Sequence, residues 1–186
     1  MREIEVKAKI TDKETLMKKL VDLGCTFDIS KYQIDKVYFP NNIKFTGGNI
    51  VGQNILRIRT ETIGDKTKSL FALKYSPTQA LDKIEKEFEI SDPIQMHESI
   101  LMLGYYLFVE VKKNRIVGKY KDYEICIDEV EDLGSFIEVE KLVEENIDSV
   151  QIFQELYEFL EGLNVDPKQN VSQGYDILLG NLKNKL

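Results

Sequence analysis

The run Arg2-Glu3-Ile4-Glu5-Val6-Lys7-Ala8-Lys9-Ile10 alternates without a break from Glu3 onward. Glu3, Glu5, Lys7 and Lys9 take the odd positions, and Ile4, Val6, Ala8 and Ile10 the even ones. A strand turns successive side chains to opposite faces, so one face here is wholly charged and the other wholly apolar. The design recurs downstream at Arg57 and Arg59, at Glu85, Glu87 and Glu89, at Lys113 and Arg115, and at Glu138 and Glu140. Lys74 and Asp128 add single charges to two further extended stretches. The opposite faces carry Leu56, Ile58, Ile84, Phe88, Ile137 and Val139. The pattern is weakest at Lys113 and Arg115, which share their face with Val109 and Val111.

Two arrangements satisfy such a pattern. In the first, the charged faces lie in solvent and helices cover the apolar side, as charge runs commonly do. In the second, the sheet closes on itself, the apolar faces lie under the helices, and the charges line a lumen. Exposed strand faces favour Thr, Tyr and Val and are depleted in Glu and Lys, which counts against the first. Four helical stretches with apolar faces supply an exterior cover for the second, an antiparallel barrel of about eight strands without open edges. A charged lumen is costly unless compensated. Arg57, Arg59, Lys7, Lys74, Lys113 and Arg115 suit a polyanion, arginine offering two-pronged contacts to phosphate. Glu3, Glu5, Asp128, Glu138 and Glu140 suit a hard cation such as Mg²⁺ or Mn²⁺. Both in one cavity imply a metal–polyphosphate complex.

Elsewhere the chain reads in order. Thr11-Asp12-Lys13-Glu14 has the form of a capping box, followed by a helix through Leu16 and Leu20 that stops at Gly24. An extended stretch covers Thr26 to Phe39, and Asn41 to Asn54, with three glycines, is a loop. Strands follow over Ile55 to Ile63, Lys68 to Tyr75 and Lys83 to Ile90, then a helix behind Asp92-Pro93. Tyr105 to Val117 and Lys119 to Val130 read as a hairpin turning at Gly118, and Phe136 to Val143 as the last strand. A helix ending at Gly162 and a short one from Ser172 complete the chain. With no βαβ alternation, the sheet is expected to be antiparallel and the class α+β, one domain over residues 1–186.

Composition limits the partners. A net charge of −7 argues against nucleic acid, whose backbone needs a basic face. No apolar run reaches the roughly 18 residues of a membrane span, and no secretory segment opens the chain. Cys25 and Cys126 lack metal-ligand spacing and read as buried, reduced thiols, with the cytoplasm as the expected compartment. The lone histidine, His97, reads as a surface residue of the second helix.

Glu3-Ile4-Glu5-Val6-Lys7 resembles the ExExK signature of the CYTH domain, shared by class IV adenylyl cyclases and thiamine triphosphatases among the triphosphate tunnel metalloenzymes. Later matches come in the family's order. Gln33 to Phe39 resembles its QxDxYF segment, Leu56-Arg57-Ile58-Arg59 its LRxR strand, Leu73-Lys74 its tunnel lysine and Lys113-Asn114-Arg115 its KxR pair. The most specific is Ile127 to Glu140, which is similar to LDxVxxLGxFxExE almost throughout, while Ser172 and Tyr175 resemble a terminal SY motif. Ser135 stands where many relatives carry Asp.

The resemblance implies a closed eight-stranded antiparallel tunnel holding a triphosphate lengthwise, with helices packed outside. It places Glu3, Glu5, Asp128, Glu138 and Glu140 toward Mg²⁺ or Mn²⁺, with Glu87 chosen over Glu89 on the strand before the second helix. Lys7, Arg57, Arg59, Lys74, Lys113 and Arg115 would hold phosphate, and Lys7, Arg59 and Glu140 would act in catalysis. The implied activity is cyclisation of ATP, or hydrolysis of thiamine triphosphate or tripolyphosphate. A third reading is polyphosphate or nucleotide binding without turnover. A homodimer is the assembly expected beyond the monomer.

Overall fold

The structure, a computed structural model, describes residues 2–77, 82–144 and 147–184. Strand β1 (Arg2–Lys9) leads into helix α1 (Lys13–Asp22), then the two-residue β2 (Thr26–Phe27) and β3 (Lys31–Pro40). Two hairpin strands follow, β4 (Asn54–Ile63) and β5 (Lys66–Tyr75), then β6 (Asp82–Ile90) and α2 (Pro93–Met102). Three long strands, β7 (Tyr105–Tyr120), β8 (Tyr123–Val130) and β9 (Gly134–Val143), precede α3 (Ser149–Gly162) and α4 (Tyr175–Lys183).

Every pairing is antiparallel, and the order is β2-β7-β3-β4-β5-β6-β1-β9-β8, with β8 also pairing β7. The sheet therefore curls round on itself. It does not close as the expected barrel does: among the described residues β1 and β6 share only Glu3↔Lys83 and Ile4↔Asp82. The architecture is a curled, open half-barrel in an α+β fold.

The first strand explains the outer packing. Ile4, Val6 and Ala8 are fully buried beneath Leu16 and Leu20 of α1 and Ile152, Leu156 and Leu160 of α3, together with Ile125, Ile127, Ile137 and Val139. Burying each of the Val, Leu and Ile side chains contributes about 1.5–3 kcal/mol, so this layer holds the apolar faces outward under helices and turns the charged ones in. Helix α2 covers Tyr38, Leu56 and Ile58 through Ile100.

Helix α4 departs from the expectation that all helices pack outside. Its Tyr175, Ile177 and Leu179 pack on Val37, Phe39, Val109, Val111, Val130 and Phe136. Those residues share strand faces with Asp35, Lys113, Asp128 and Glu138, so the inner wall changes from charged to apolar and α4 fills that end. The mixed face of β7 noted above has this cause.

Two local expectations are corrected. Helix α1 is capped by Asp12, whose side chain accepts from Thr15 N at 2.9 Å, rather than by Thr11. The β7–β8 hairpin turns at Lys121-Asp122, with Lys121 at φ 55°, and β7 runs straight through Gly118. Gly118 serves a close approach instead, since a Cβ there would lie 2.5 Å from Phe27 Cε1 and 2.9 Å from Cys25 Sγ. Both cysteines are free and buried, as read. His97 is half-buried, its Nδ1 2.8 Å from the hydroxyl of Tyr38.

Candidate active site

The inner faces enclose a cavity of about 470 Å³, lined by side chains from most of the long strands, from the loop at Asn49 and Ile50, and from the start of α4. All six expected phosphate ligands line it: Lys7, Arg57, Arg59, Lys74, Lys113 and Arg115. Of the expected metal ligands, Glu3, Glu5, Glu87, Glu138 and Glu140 line it, and Asp128 does not. On β6 the wall is formed by Glu85 and Glu87, not Glu89.

Three carboxylates gather at one place. Glu3, Glu5 and Glu140 each bring an oxygen into a group whose members lie within 4.8 Å of one another. Register explains this, because Glu5 stands directly opposite Glu140 in the β1–β9 ladder. Burial first, and the charge of Glu3 next, push the Glu140 carboxyl well above the usual range.

The other expected metal ligands hold the cations of the wall. Asp128 is fully buried and accepts from Arg115 Nε at 2.7 Å, Arg115 Nη2 at 2.5 Å and Lys113 Nζ at 3.3 Å. Burial alone would raise its carboxyl, but Arg115 and Lys113 outweigh that and hold it below the usual range. Glu138 pairs with Lys7 at 2.9 Å and with Arg115 Nη2, and these cations overcome burial to keep it well below that range. Glu87 and Glu85 both accept from Arg57 Nη2, at 2.6 and 2.7 Å, and Glu85 also meets Lys74 at 2.7 Å. Burial, then the neighbouring Arg115, lowers Lys113 to about 8.

Sequence reading places Asp35 in the QxDxYF segment and gives it no role in the site. Asp35 accepts from Arg59 Nε at 2.6 Å and Nη2 at 2.7 Å, a bidentate pair, and lies 3.9 Å from Arg57 Nη1. Despite burial, Arg59 and Arg57 hold its carboxyl below the usual range. The signal was present, since Gln33, Asp35 and Val37 alternate like the other charged strands and Asp35 stands opposite Arg59 in the ladder. Tyr175 of α4 lies under two lysines, with Lys7 Nζ 4.3 Å and Lys113 Nζ 5.0 Å from its ring centre.

The loop of residues 41 to 54 also acquires a place. Gly47 O accepts from Gln173 Nε2 at 3.2 Å and Asn181 Nδ2 at 3.0 Å, tying the loop to the α4 segment at the cavity's edge. No helix among the described residues is long and apolar enough to cross a membrane.

Similarity to known proteins follows this geometry. Residues 1–175 match the family model of the CYTH domain. A Methanocaldococcus jannaschii protein named as a candidate adenylate cyclase is 32% identical over 185 residues, covering 97% of this chain and 99% of that protein. A Pyrococcus horikoshii protein of solved structure superposes with a TM-score of 0.81 at 24% identity, covering 97% of this chain and 99% of that one. A Hippeastrum protein, described as a candidate adenylyl cyclase with a dominant triphosphatase activity, superposes with a TM-score of 0.60 at 15% identity over 100% of this chain and 97% of its own.

Proposed function

Because the chain belongs to the CYTH domain family, we propose that it is a divalent-metal-dependent enzyme acting on a triphosphate held in its cavity, converting ATP to cyclic AMP and pyrophosphate. The observation that carries this is the convergence of six lysines and arginines and a three-carboxylate corner on one cavity of about 470 Å³. A solvated outer face would need no such convergence.

The residues fit a hard cation. Glu3, Glu5 and Glu140 offer only oxygen donors; burial first and then the charge of Glu3 push Glu140 up, and Mg²⁺ or Mn²⁺ would relieve that repulsion. The ion would supply positive charge against the phosphate oxygens and favour loss of the attacking oxygen's proton.

The protein's own part is positioning. Asp35 takes Arg59 Nε and Nη2, so Nη1 is the guanidinium nitrogen turned to a phosphate oxygen. Asp128 fixes Arg115 in the same way, and Glu138 steadies Lys7. Phosphoryl-type transfer asks for in-line placement and neutralised charge more than covalent help, and these held cations provide both. In the cyclisation the ribose 3′-hydroxyl attacks the α-phosphorus, the α–β bridging bond breaks, and pyrophosphate leaves. The hydrolytic alternative, water attacking a terminal phosphorus, is favoured by the dominant triphosphatase activity described for the Hippeastrum protein.

Incubation with Mg²⁺ or Mn²⁺ and ATP, thiamine triphosphate or tripolyphosphate, followed by product identification, tests the proposal. Cyclic AMP with pyrophosphate supports cyclisation, and orthophosphate release supports hydrolysis. Tight binding without products would refute both and leave a binding module.

A further inference from the structure

One stretch of the cavity wall takes no part in holding phosphate or metal as described above. It consists of Lys31 and Gln33 on β3, Glu61 on β4 and Lys68 on β5, all lining the cavity. Glu61 is 4% exposed and collects three donors: Gln33 Nε2 at 2.7 Å, Lys31 Nζ at 3.3 Å and Lys68 Nζ at 3.3 Å. Burial pushes its carboxyl up, but the Gln33 hydrogen bond and Lys31 outweigh this and keep it below the usual range. Glu61 is therefore ionised at neutral pH.

An ionised carboxylate only accepts hydrogen bonds, so it dictates which way the Gln33 amide is turned. The NH₂ group faces Glu61 and the carbonyl oxygen, Oε1, faces away. That oxygen is buried and has no hydrogen-bond partner among the described residues. Its neighbour across the other ladder, Lys113, sends its ammonium to Asp128 instead. A buried acceptor without a donor is rare in folded proteins. On the wall of a cavity it marks where a ligand brings the donor. Leu70 and Val117 line the same cavity and supply apolar surface. Lys31 and Lys68 on the same wall are partly exposed, whereas Gln33 itself is fully buried, so a donor meets Oε1 from the cavity side only once these side chains shift.

We infer that Gln33 Oε1 accepts a hydrogen bond from an N–H or O–H on the organic end of the bound triphosphate, making Gln33 a determinant of preference for nucleoside triphosphates over inorganic tripolyphosphate. The inference rests on the triphosphate reading proposed above. The donor is either an amino group of the base or a ribose hydroxyl.

The test is steady-state kinetics with ATP, inosine triphosphate, 2′-deoxy-ATP and tripolyphosphate. It is run on the wild type, Gln33→Leu and Glu61→Gln. In Gln33→Leu the ratio of kcat/KM for ATP over tripolyphosphate, or of their affinities where tripolyphosphate acts only as a competitor, should fall about tenfold, the worth of one hydrogen bond. Inosine triphosphate losing that factor in the wild type assigns the donor to the base, and 2′-deoxy-ATP losing it assigns the donor to the ribose. Glu61→Gln keeps the shape of the wall but frees the Gln33 amide to turn, so it should also shrink the ATP preference, and it serves if Gln33→Leu does not fold. Wild-type protein that consumes none of the four, nor thiamine triphosphate, sinks the triphosphate reading, and this inference with it. Turnover with an unchanged ATP-to-tripolyphosphate ratio in the variants sinks this inference alone.

Discussion

Asp35 shows how much one side chain contributes when it fixes two others. With Arg59 held bidentately and Arg57 beside it, Asp35→Asn leaves buried guanidinium charge uncompensated. Urea denaturation should record a loss of about 3–5 kcal/mol, the usual result of breaking a buried pair from one side. The pH dependence has a definite sign. The folded carboxyl lies below its ordinary value, so its stabilisation is present above the unfolded value of about 3.9 and is lost as pH falls toward the folded one. Wild-type stability should therefore decline below about pH 4, and Asp35→Asn should show a shallower decline. Arg57→Ala is the contrasting case. Its closest partners, Glu85 and Glu87, are partly exposed and can rehydrate, and Asp35 keeps its bidentate pair with Arg59, so the thermal midpoint should move little. Its kcat/KM should drop about tenfold or more, as for a lost charge-assisted hydrogen bond.

Among the elements, β9 carries two glutamates that parity alone makes equivalent, and the structure separates them. Glu140 joins Glu3 and Glu5, whereas Glu138 is taken up by Lys7 and Arg115. In a Mn²⁺ titration followed by electron paramagnetic resonance, Glu140→Gln should weaken binding by on the order of tenfold or more, at least the cost of losing an outer-shell partner. Glu138→Gln should shift it less while impairing turnover; equal shifts would refute the division. Strand β7 carries the other test. Gly118→Ala should destabilise by about 1–3 kcal/mol, the cost of overpacking, because Phe27 and Cys25 occupy the space of a Cβ. If Gly118 only formed a turn, alanine would be far milder.

At the scale of the molecule, the cavity exists because the sheet curls until β8 reaches β7 and α4 fills one end. The cations within it are held by carboxylates that compete with any anionic ligand. A triphosphate with Mg²⁺ should then bind by adding a cation and an anion together, each offsetting part of the other's charge in the lumen. Differential scanning fluorimetry should show a larger rise in thermal midpoint with Mg²⁺ and tripolyphosphate together than the sum of the two separately. Saturation at about 100 times Kd corresponds to about 2.7 kcal/mol.

The first strand and its repeats carried most of the fold and the candidate site. A period of two with charges on one side leaves only two arrangements, and hydrophobic patterning is local enough to be read from the chain. The sequence by itself therefore determined the strands, their inward charges and the six cations of the wall. Tertiary structure alone decided which carboxylates pair with arginine or lysine and which gather together. Whether Glu138, Asp128 or Glu87 meets a metal or an arginine depends on which strand lies alongside and in what register, and parity is silent on both. The same limit hid the contacts of Asp35 and Gln33, whose partners Arg59 and Glu61 sit on the next strand. It also hid the open seam at β1 and β6 and the end filled by α4, because closure depends on how far the whole sheet bends.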